Sequence, residues 1–275
     1  LINLKNEETH VNVCIKDLKN KKDFQFSSKY LIGSDGGASS VRSLLEISQE
    51  DLNYNQDWVV VDVKLKGKNQ LDNKALQICD PERLCTYIPS HLPFRRWEFM
   101  INESDNKNDF LDDEKIQNLI KRWLQPDQYQ IVRKAVYQFH SVIAEKLNKG
   151  RSFLIGDAAH QAPPFMGEGM MSGYRDAMNV YWKIALTIQN NLDHKLLNTY
   201  QKERKPHAKF VVENSAGIGE LMEAYAKTDD PSKVPDVLVA KGYGSFVLPG
   251  LDEGLFYGGK ADESMNSGHL FPQPL

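Results

Sequence analysis

Residues 156–183, Gly156-Asp157-Ala158-Ala159-His160-Gln161-Ala162-Pro163-Pro164-Phe165-Met166-Gly167-Glu168-Gly169-Met170 and the run on to Lys183, decide the fold. An apolar run, Ser152-Phe153-Leu154-Ile155, precedes them and reads as a buried strand. The strand breaks at Gly156-Asp157, the chain passes Pro163-Pro164, and a long helix is entered through Gly167 and Gly169. A strand that feeds a helix through a glycine-rich turn sets free backbone N–H groups and a positive helix end against a ligand. Glycines let the backbone approach that ligand without a Cβ clash. An aspartate at the end of the strand can accept hydrogen bonds from a sugar hydroxyl. Together these features describe a site for a nucleotide-like molecule.

A second strand-to-turn segment lies upstream: Tyr30-Leu31-Ile32-Gly33-Ser34-Asp35-Gly36-Gly37-Ala38-Ser39-Ser40-Val41-Arg42. A lone Asp-Gly is usually a turn and nothing more. Here a strand leads into it, and Ser39, Ser40 and Arg42 follow at fixed offsets. The pair of segments resembles the FAD-dependent aromatic hydroxylases of the para-hydroxybenzoate hydroxylase fold, a class of flavoprotein monooxygenases. Arg95-Arg96-Trp97-Glu98-Phe99, Val136-Tyr137-Gln138-Phe139-His140 and Leu270-Phe271-Pro272-Gln273 are similar to the 3-(3-hydroxyphenyl)propionate hydroxylases within it.

The resemblance implies an activity: one oxygen atom of O2 enters a phenolic aromatic acid, with NAD(P)H as co-substrate and reductant. The redox chemistry belongs to FAD, and the protein supplies position, electrostatics and solvent exclusion. No catalytic triad is expected, and no catalytic side chain is assigned. Carried over residue by residue, the resemblance places Asp35, Gly36 and Arg42 near the FAD pyrophosphate and the nicotinamide path. It places Gly156 and Asp157 at the ribitol chain, and Pro163, Gly167, Gly169 and Met170 beside the isoalloxazine ring. N–H groups around residues 167–170 suit the negative charge of a reduced flavin. Glu168 departs from the glutamine frequent in the family, and its carboxylate is expected to point away. His160 is read as structural, since the implied chemistry needs no base there.

Composition narrows the alternatives. The chain has 275 residues, 34 Lys+Arg against 37 Asp+Glu and a formal net charge of −3. That balance, with no basic stripe interleaved with aromatics, argues against nucleic acid as a partner. Cys14, Cys79 and Cys85 form no close pair and no metal-ligand spacing, so no metal is expected and a reducing compartment is. No apolar run is long enough to span a bilayer, and Lys5, Glu7 and Glu8 interrupt any signal-peptide core. The default expectation is a cytoplasmic protein, of oligomeric state the sequence does not fix.

The expected fold class is α+β: part of an FAD-binding α/β domain, a sheet-rich substrate domain and C-terminal helices. Residues 1–50 read as a partial FAD-binding domain. Period-two patterning makes residues 10–16 a strand with Val11, Val13 and Ile15 inward, paired with residues 24–26 across Asn20-Lys21-Lys22. Residues 30–32 lead into Asp35-Gly36, and 40–45 form a short helix. Residues 51–145 read as the substrate domain, with strands at 58–65, 75–78, 84–88, 96–101 and 135–141. A helix at 113–124 carries Ile116, Leu119, Ile120 and Trp123 on one face. Tyr87, Arg96, Tyr137 and His140, with Trp97 and Phe139, are candidates for an aromatic substrate pocket, although an aromatic residue on a strand is more often ordinary core. Residues 146–225 continue the FAD-binding domain, with helices at 171–189, 192–203 and 206–225. Residues 226–275 read as an irregular tail.

In this fold a G-x-G-x-x-G turn ordinarily binds the ADP half of FAD. Gly217-Ile218-Gly219 lacks the third glycine, and Gly242 and Gly244 lie in a loop-like run. The expectation is therefore a chain truncated at both ends, lacking the N-terminal dinucleotide-binding unit. A remnant that binds no FAD, or a relative acting on another phenol or a polyketide, are the alternative readings.

Overall fold

The computed structural model describes residues 1–67 and 69–230, together with Ser232, Val234 and Gly254. Along the chain, β1 (Asn3–Asn6), β2 (Val11–Lys16), β3 (Asp23–Ser28), β4 (Leu31–Gly33), α1 (Ser40–Leu44) and β5 (Gln49–Leu65) come first. There follow β6 (Leu76–Ile78), β7 (Cys85–Ile88), β8 (Phe94–Met100), α2 (Asp113–Ile120) and β9 (Tyr129–Ala144). The series closes with β10 (Asn148–Lys149), β11 (Ser152–Leu154), β12 (His160–Gln161), α3 (Gly169–Asn190) and α4 (Thr199–Lys227). The architecture is α+β. The described residues divide into two compact units: those of Leu1–Asn53, Ser141–Ser215 and Ser245–Leu275, and those of Tyr54–His140 and Ala216–Gly244.

In the first unit, β1, β2 and β3 form an antiparallel sheet. The β2–β3 turn is set by Asp17, whose carboxylate accepts from the backbone N–H of Lys19 at 2.8 Å and from Asn20 Nδ2 at 2.7 Å. Such side-chain-to-backbone bonds mimic a turn and fix it locally. Val11 is fully buried, but Ile15 is 36% exposed and so is not the inward residue that alternation predicts. Alternation identifies a face; only tertiary contacts decide how far along the strand that face is covered.

A second small sheet, ordered β10-β11-β4, contains the parallel pair β11 and β4, with Leu154 opposite Gly33. Phe153 and Leu154 are fully buried, as expected of a parallel strand covered on both faces. They pack with Val41, Leu45, Ala158, Val180 and Tyr200 in one apolar core. Tyr200 adds a hydrogen bond from its hydroxyl to the Leu154 carbonyl, 2.6 Å. β12 pairs with Val142 and Ile143 at the end of β9.

The sequence splits the final helical region at Pro206, whereas the structure has one helix, α4, with Pro206 inside it. An interior proline costs about 3 kcal/mol through its missing N–H and ring clash. Fully buried Tyr200 and Ala208, on either side, show what holds the helix through it. Burying such side chains contributes roughly 1.5–3 kcal/mol for each large one, so packing outweighs propensity. Residues 194–198, expected as α-helix, form a 3-10 turn capped by the Asp193 carboxylate on the Lys195 N–H.

In the second unit, β6-β7-β8-β5-β9 lie side by side. Directly paired residues share a face. Val59, Val61 and Val63 of β5 therefore join Phe99, Trp97 and Arg95 of β8 on one face. Ile116 and Ile120 of α2, both fully buried, belong to the same core. Trp123 lies 5.7 Å from Trp97 and 6.1 Å from Phe99, ring centre to centre. α2 ends at Ile120, earlier than the expected 124, and Asp112 precedes it without making a side-chain cap bond. Trp58, Asp62, Arg96 and Glu98 occupy the opposite face of the sheet. The irregular tail expected from residue 226 and the segment 270–273 lie almost wholly outside the described residues; α4 itself runs to Lys227.

Candidate cofactor site

Because β4 and β11 are parallel neighbours, their C-terminal ends finish side by side. Each is followed by a turn, Ser34-Asp35-Gly36-Gly37 after β4 and Gly156-Asp157 after β11. Crevices outside the carboxyl ends of parallel strands are the usual ligand position in open α/β sheets. A cavity of about 350 Å3 opens here, lined by Ser34, Gly36, Gly156, Asp157, Met170 and Tyr174 among others. Residues more than a hundred positions apart in sequence thus meet at one place.

Two of the sequence candidates are bonded to the frame of the site. The Asp35 carboxylate accepts from Ser39 Oγ at 2.5 Å and from the Val41 N–H at 3.0 Å, so it fastens the start of α1. Burial pushes its pKa up, but these hydrogen bonds outweigh that and hold it below the usual range. Arg42 is buried, and its Nη1 donates to the Ala158 carbonyl at 2.9 Å while Nη2 donates to the Gly37 carbonyl at 2.7 Å. One guanidinium therefore clamps the first turn to the second. In this structure the side chains of Asp35 and Arg42 are occupied by the frame of the site.

The other candidates differ. Asp157 is exposed and lines the cavity. Pro163 is buried and opens a 3-10 turn over Pro164–Met166, which Gly167 closes at φ +66°. Gly36 has φ +81°, and a Cβ built on Gly36, Gly167 or Gly169 would meet no protein atom within 4 Å. Positive φ favours glycine, and the open space beside it is room for a ligand. α3 begins at Gly169, with no side-chain cap and no acidic residue in its first turn. Its leading N–H groups thus lack the protein acceptor that helix starts normally recruit. Glu168 instead pairs with Arg175 at 3.0 Å, along α3, as its expected outward direction requires. Met170 is 73% exposed.

Sequence reasoning missed the group beneath the site. Asp176 is fully buried in α3, and its Oδ2 accepts from the Gly156 N–H at 3.0 Å and pairs with His160 Nε2 at 2.7 Å. Its Oδ1 accepts from Arg204 Nε of α4 at 2.8 Å. Burial pushes this carboxyl up, but His160 and Arg204 outweigh it and keep it below the ordinary range. One to two turns further, buried Lys183 pairs with Glu203 at 2.7 Å, and Asn179 donates to the same oxygen at 2.7 Å. The available signal was a helix whose polar residues, Ser172, Asp176, Lys183 and Thr187, share one helical face at i+4, i+11 and i+15. That face is the buried one. Gly173 belongs to this contact, since a Cβ there would stand 3.2 Å from Gly156 Cα.

The substrate candidates do not converge. Tyr87 is buried on the α2 face of the sheet, with its hydroxyl on the Asp72 carbonyl at 2.8 Å, and Trp97 lies beside it. Arg96 is on the opposite face, held by Asp62 through two bonds of 2.7 and 3.0 Å. Phe139 stacks on Trp58 of that face, and 39% exposed Tyr137 is its i−2 neighbour on β9. His140 bonds Asn55 at 2.7 Å. A sheet therefore separates Tyr87 from Arg96. Among the described residues, no group of three His, Cys, Asp or Glu could hold a metal, and no helix is long and apolar enough to cross a membrane.

Comparison with known proteins now has a geometry to meet. A family model described as an FAD binding domain matches residues 1–215, and the chain belongs to that family. The 3-(3-hydroxy-phenyl)propionate/3-hydroxycinnamic acid hydroxylase of Burkholderia cenocepacia (strain HI2424) is 35% identical over 205 residues, 73% of this chain and 37% of that protein. The probable NADH-specific resorcinol 4-hydroxylase of Rhodococcus jostii (strain RHA1) is 30% identical over 252 residues, covering 90% and 46%. A crystal structure of aklavinone-11 hydroxylase with FAD and aklavinone superposes with a TM-score of 0.74 at 24% identity, covering 86% of this chain and 47% of that one. At that identity the likeness establishes the fold alone. The chain spans less than half the length of these relatives.

Proposed function

We propose that this chain is the flavin-holding and substrate-facing part of an FAD-dependent aromatic monooxygenase. It hydroxylates a phenolic aromatic acid similar to 3-(3-hydroxyphenyl)propionate, with NAD(P)H and O2 as co-substrates. The observation that carries the reading is the cavity at the ends of β4 and β11, where Asp157 and the uncapped start of α3 accompany glycines with open space beside them. These residues suit a flavin. Asp157 would accept hydrogen bonds from the ribitol hydroxyls, and the N–H groups at Gly169 and Met170 would face the electron-rich edge of the ring. Gly36 and Gly156 would let the backbone approach closely, and Pro163 and Gly167 shape the turn beside the ring.

FAD, when bound, supplies the oxidation chemistry. This chain's residues orient it: Arg42 locks the two turns together, and Glu168 is neutralised by Arg175 rather than directed at a developing negative charge. Arg96 is already paired with Asp62, which leaves it less suited to a substrate carboxylate. Tyr137 is partly exposed on the Arg96 face of the sheet, with the Arg133 guanidinium over its ring, and is the candidate there for contact with a ring-bearing substrate. The protein acts in the cytoplasm and needs no nucleic acid or metal partner. Residues 1–50 and 146–225 serve the cofactor, and 51–145 serve the substrate.

A second reading has its own support. The resorcinol hydroxylase matches more of this chain, 90%, than the propionate hydroxylase does, so a phenol without a carboxylate side chain is the rival substrate. The test is NAD(P)H oxidation by the complete protein carrying this chain, with 3-(3-hydroxyphenyl)propionate and resorcinol compared under isotopically labelled O2. Faster coupled turnover and label in the propionate product support the first reading. Preference for resorcinol selects the second, and no labelled product from any phenol removes both.

A further inference from the structure

We infer that Asp176 is a positioning residue for the cofactor, acting through the Gly156 turn. Three donors converge on this fully buried carboxylate, and each comes from a different part of the unit. The Gly156 N–H belongs to the turn that presents Asp157, His160 follows that turn, and Arg204 belongs to α4. Asp176 itself sits on α3, whose first residues line the cavity. A single anion thus ties the turn, α3 and α4 together at the floor of the site.

Burying a carboxylate costs several kcal/mol unless it is fully paired and hydrogen-bonded. Apolar packing at this position would avoid that cost, so stability alone gives little reason for the charge. What the charge provides is direction: an anion with both oxygens committed fixes the Gly156 N–H to one geometry, and with it the outlook of the next residue, Asp157. Asparagine cannot substitute. With its oxygen toward Gly156 and His160, its amide N–H2 would face the Arg204 Nε–H, donor against donor.

The neighbouring Lys183–Glu203 pair supplies the control. It joins the same two helices and is buried, and its Glu203 oxygen is bonded to Lys183 and Asn179 of α3. Compare Asp176→Asn with the double variant Lys183→Met/Glu203→Gln in the full chain. Backbone hydrogen exchange over residues 155–160 and FAD affinity by flavin fluorescence are read for each, beside thermal unfolding. Asp176→Asn should speed exchange in the turn and weaken FAD binding by about tenfold or more, the scale of a lost charge-assisted hydrogen bond. The control should lower Tm yet leave turn exchange and Kd within about twofold, since Glu203 Oε2 is bonded to Lys183 and Asn179 of α3 and not to the turn. Should Asp176→Asn fail to fold, Asp176→Glu keeps the charge but displaces it by one methylene, and the same contrast applies.

Unchanged exchange in the turn overturns the inference. So does a loss of FAD affinity that the control reproduces in proportion to its loss of Tm. The binding arm rests on the FAD reading above; if the unsubstituted chain takes up no FAD, that reading fails, and the exchange comparison still decides the role of Asp176.

Discussion

At the scale of single residues, the site divides into side chains that face a ligand and side chains that hold the frame. Asp157 belongs to the first kind. Asp157→Ala should leave Tm nearly unchanged, because the carboxylate is exposed. It should weaken FAD binding by about 1.5–3 kcal/mol, the contribution of a hydrogen bond to a charged group. Equal FAD affinity in that variant would take Asp157 out of the site. Arg42 belongs to the second kind. Arg42→Met leaves the Gly37 and Ala158 carbonyls without their donor, at roughly 1–3 kcal/mol for each buried group left unsatisfied. Urea unfolding should show that loss even without FAD; an unchanged midpoint would mean the clamp is dispensable. The sequence marked Arg42 and Asp35 by their motif but could not say which way they point. The motif specifies which residues stand at each offset, while the direction of a side chain depends on a second turn over a hundred residues away.

Among elements, α3 is the informative case. Its outward face carries Met170, Tyr174, Met178 and Tyr181, all more than 60% exposed, while its buried face carries Asp176 and Lys183. A reading of amphipathicity by hydrophobic side would turn this helix the wrong way round. Lys183→Met alone should destabilise the fold by about 3–5 kcal/mol, because it leaves Glu203 buried without its cation. Restoring neutrality with Glu203→Gln should recover part of that loss in the same unfolding assay. No recovery would show that the pair acts by shape and not by charge.

The β8 strand offers a titration. Burial raises the Glu98 carboxyl to about 7, more than Arg96 pulls it down, from an ordinary value of 4.5. A carboxyl raised in the folded state binds its proton more tightly there than when unfolded. Stability should therefore fall as pH rises between about 4.5 and about 7, then level off. Glu98→Gln should abolish that slope, and a variant that keeps it would assign the slope to another group. β8 and the second half of β5 were legible in sequence, whereas residues 49–57 of β5, ahead of the expected 58–65, were not. The 16-residue β9 was legible only over its middle; Tyr129 and Ile131 at its start reach the core, but exposed Val132 and Arg133 interrupt the pattern.

For the whole molecule, each unit has its own apolar core, one around Phe153 and Tyr200 and one around Trp97 and Ile116. The chain passes between the units inside β5, β9 and α4 rather than through linkers. No proline- or glycine-rich segment marks those crossings, so composition had no boundary to report. The motifs and the family were legible because turn chemistry is local: a glycine, an aspartate and a helix start within a few residues carry their own physics. The Asp176 hub was not, because three of its four members gain meaning only when α3 and α4 pack. Substrate identity was not legible either, since a sheet face is assembled from strands that the sequence keeps apart.

The central claim is that this chain holds a flavin. It is tested most directly by titrating the purified chain with FAD and following flavin fluorescence and visible absorbance. A saturable, single-site transition is expected, and Asp157→Ala should weaken it by about tenfold or more. A linear response, equal to that of free FAD across the titration and indifferent to Asp157→Ala, would contradict it.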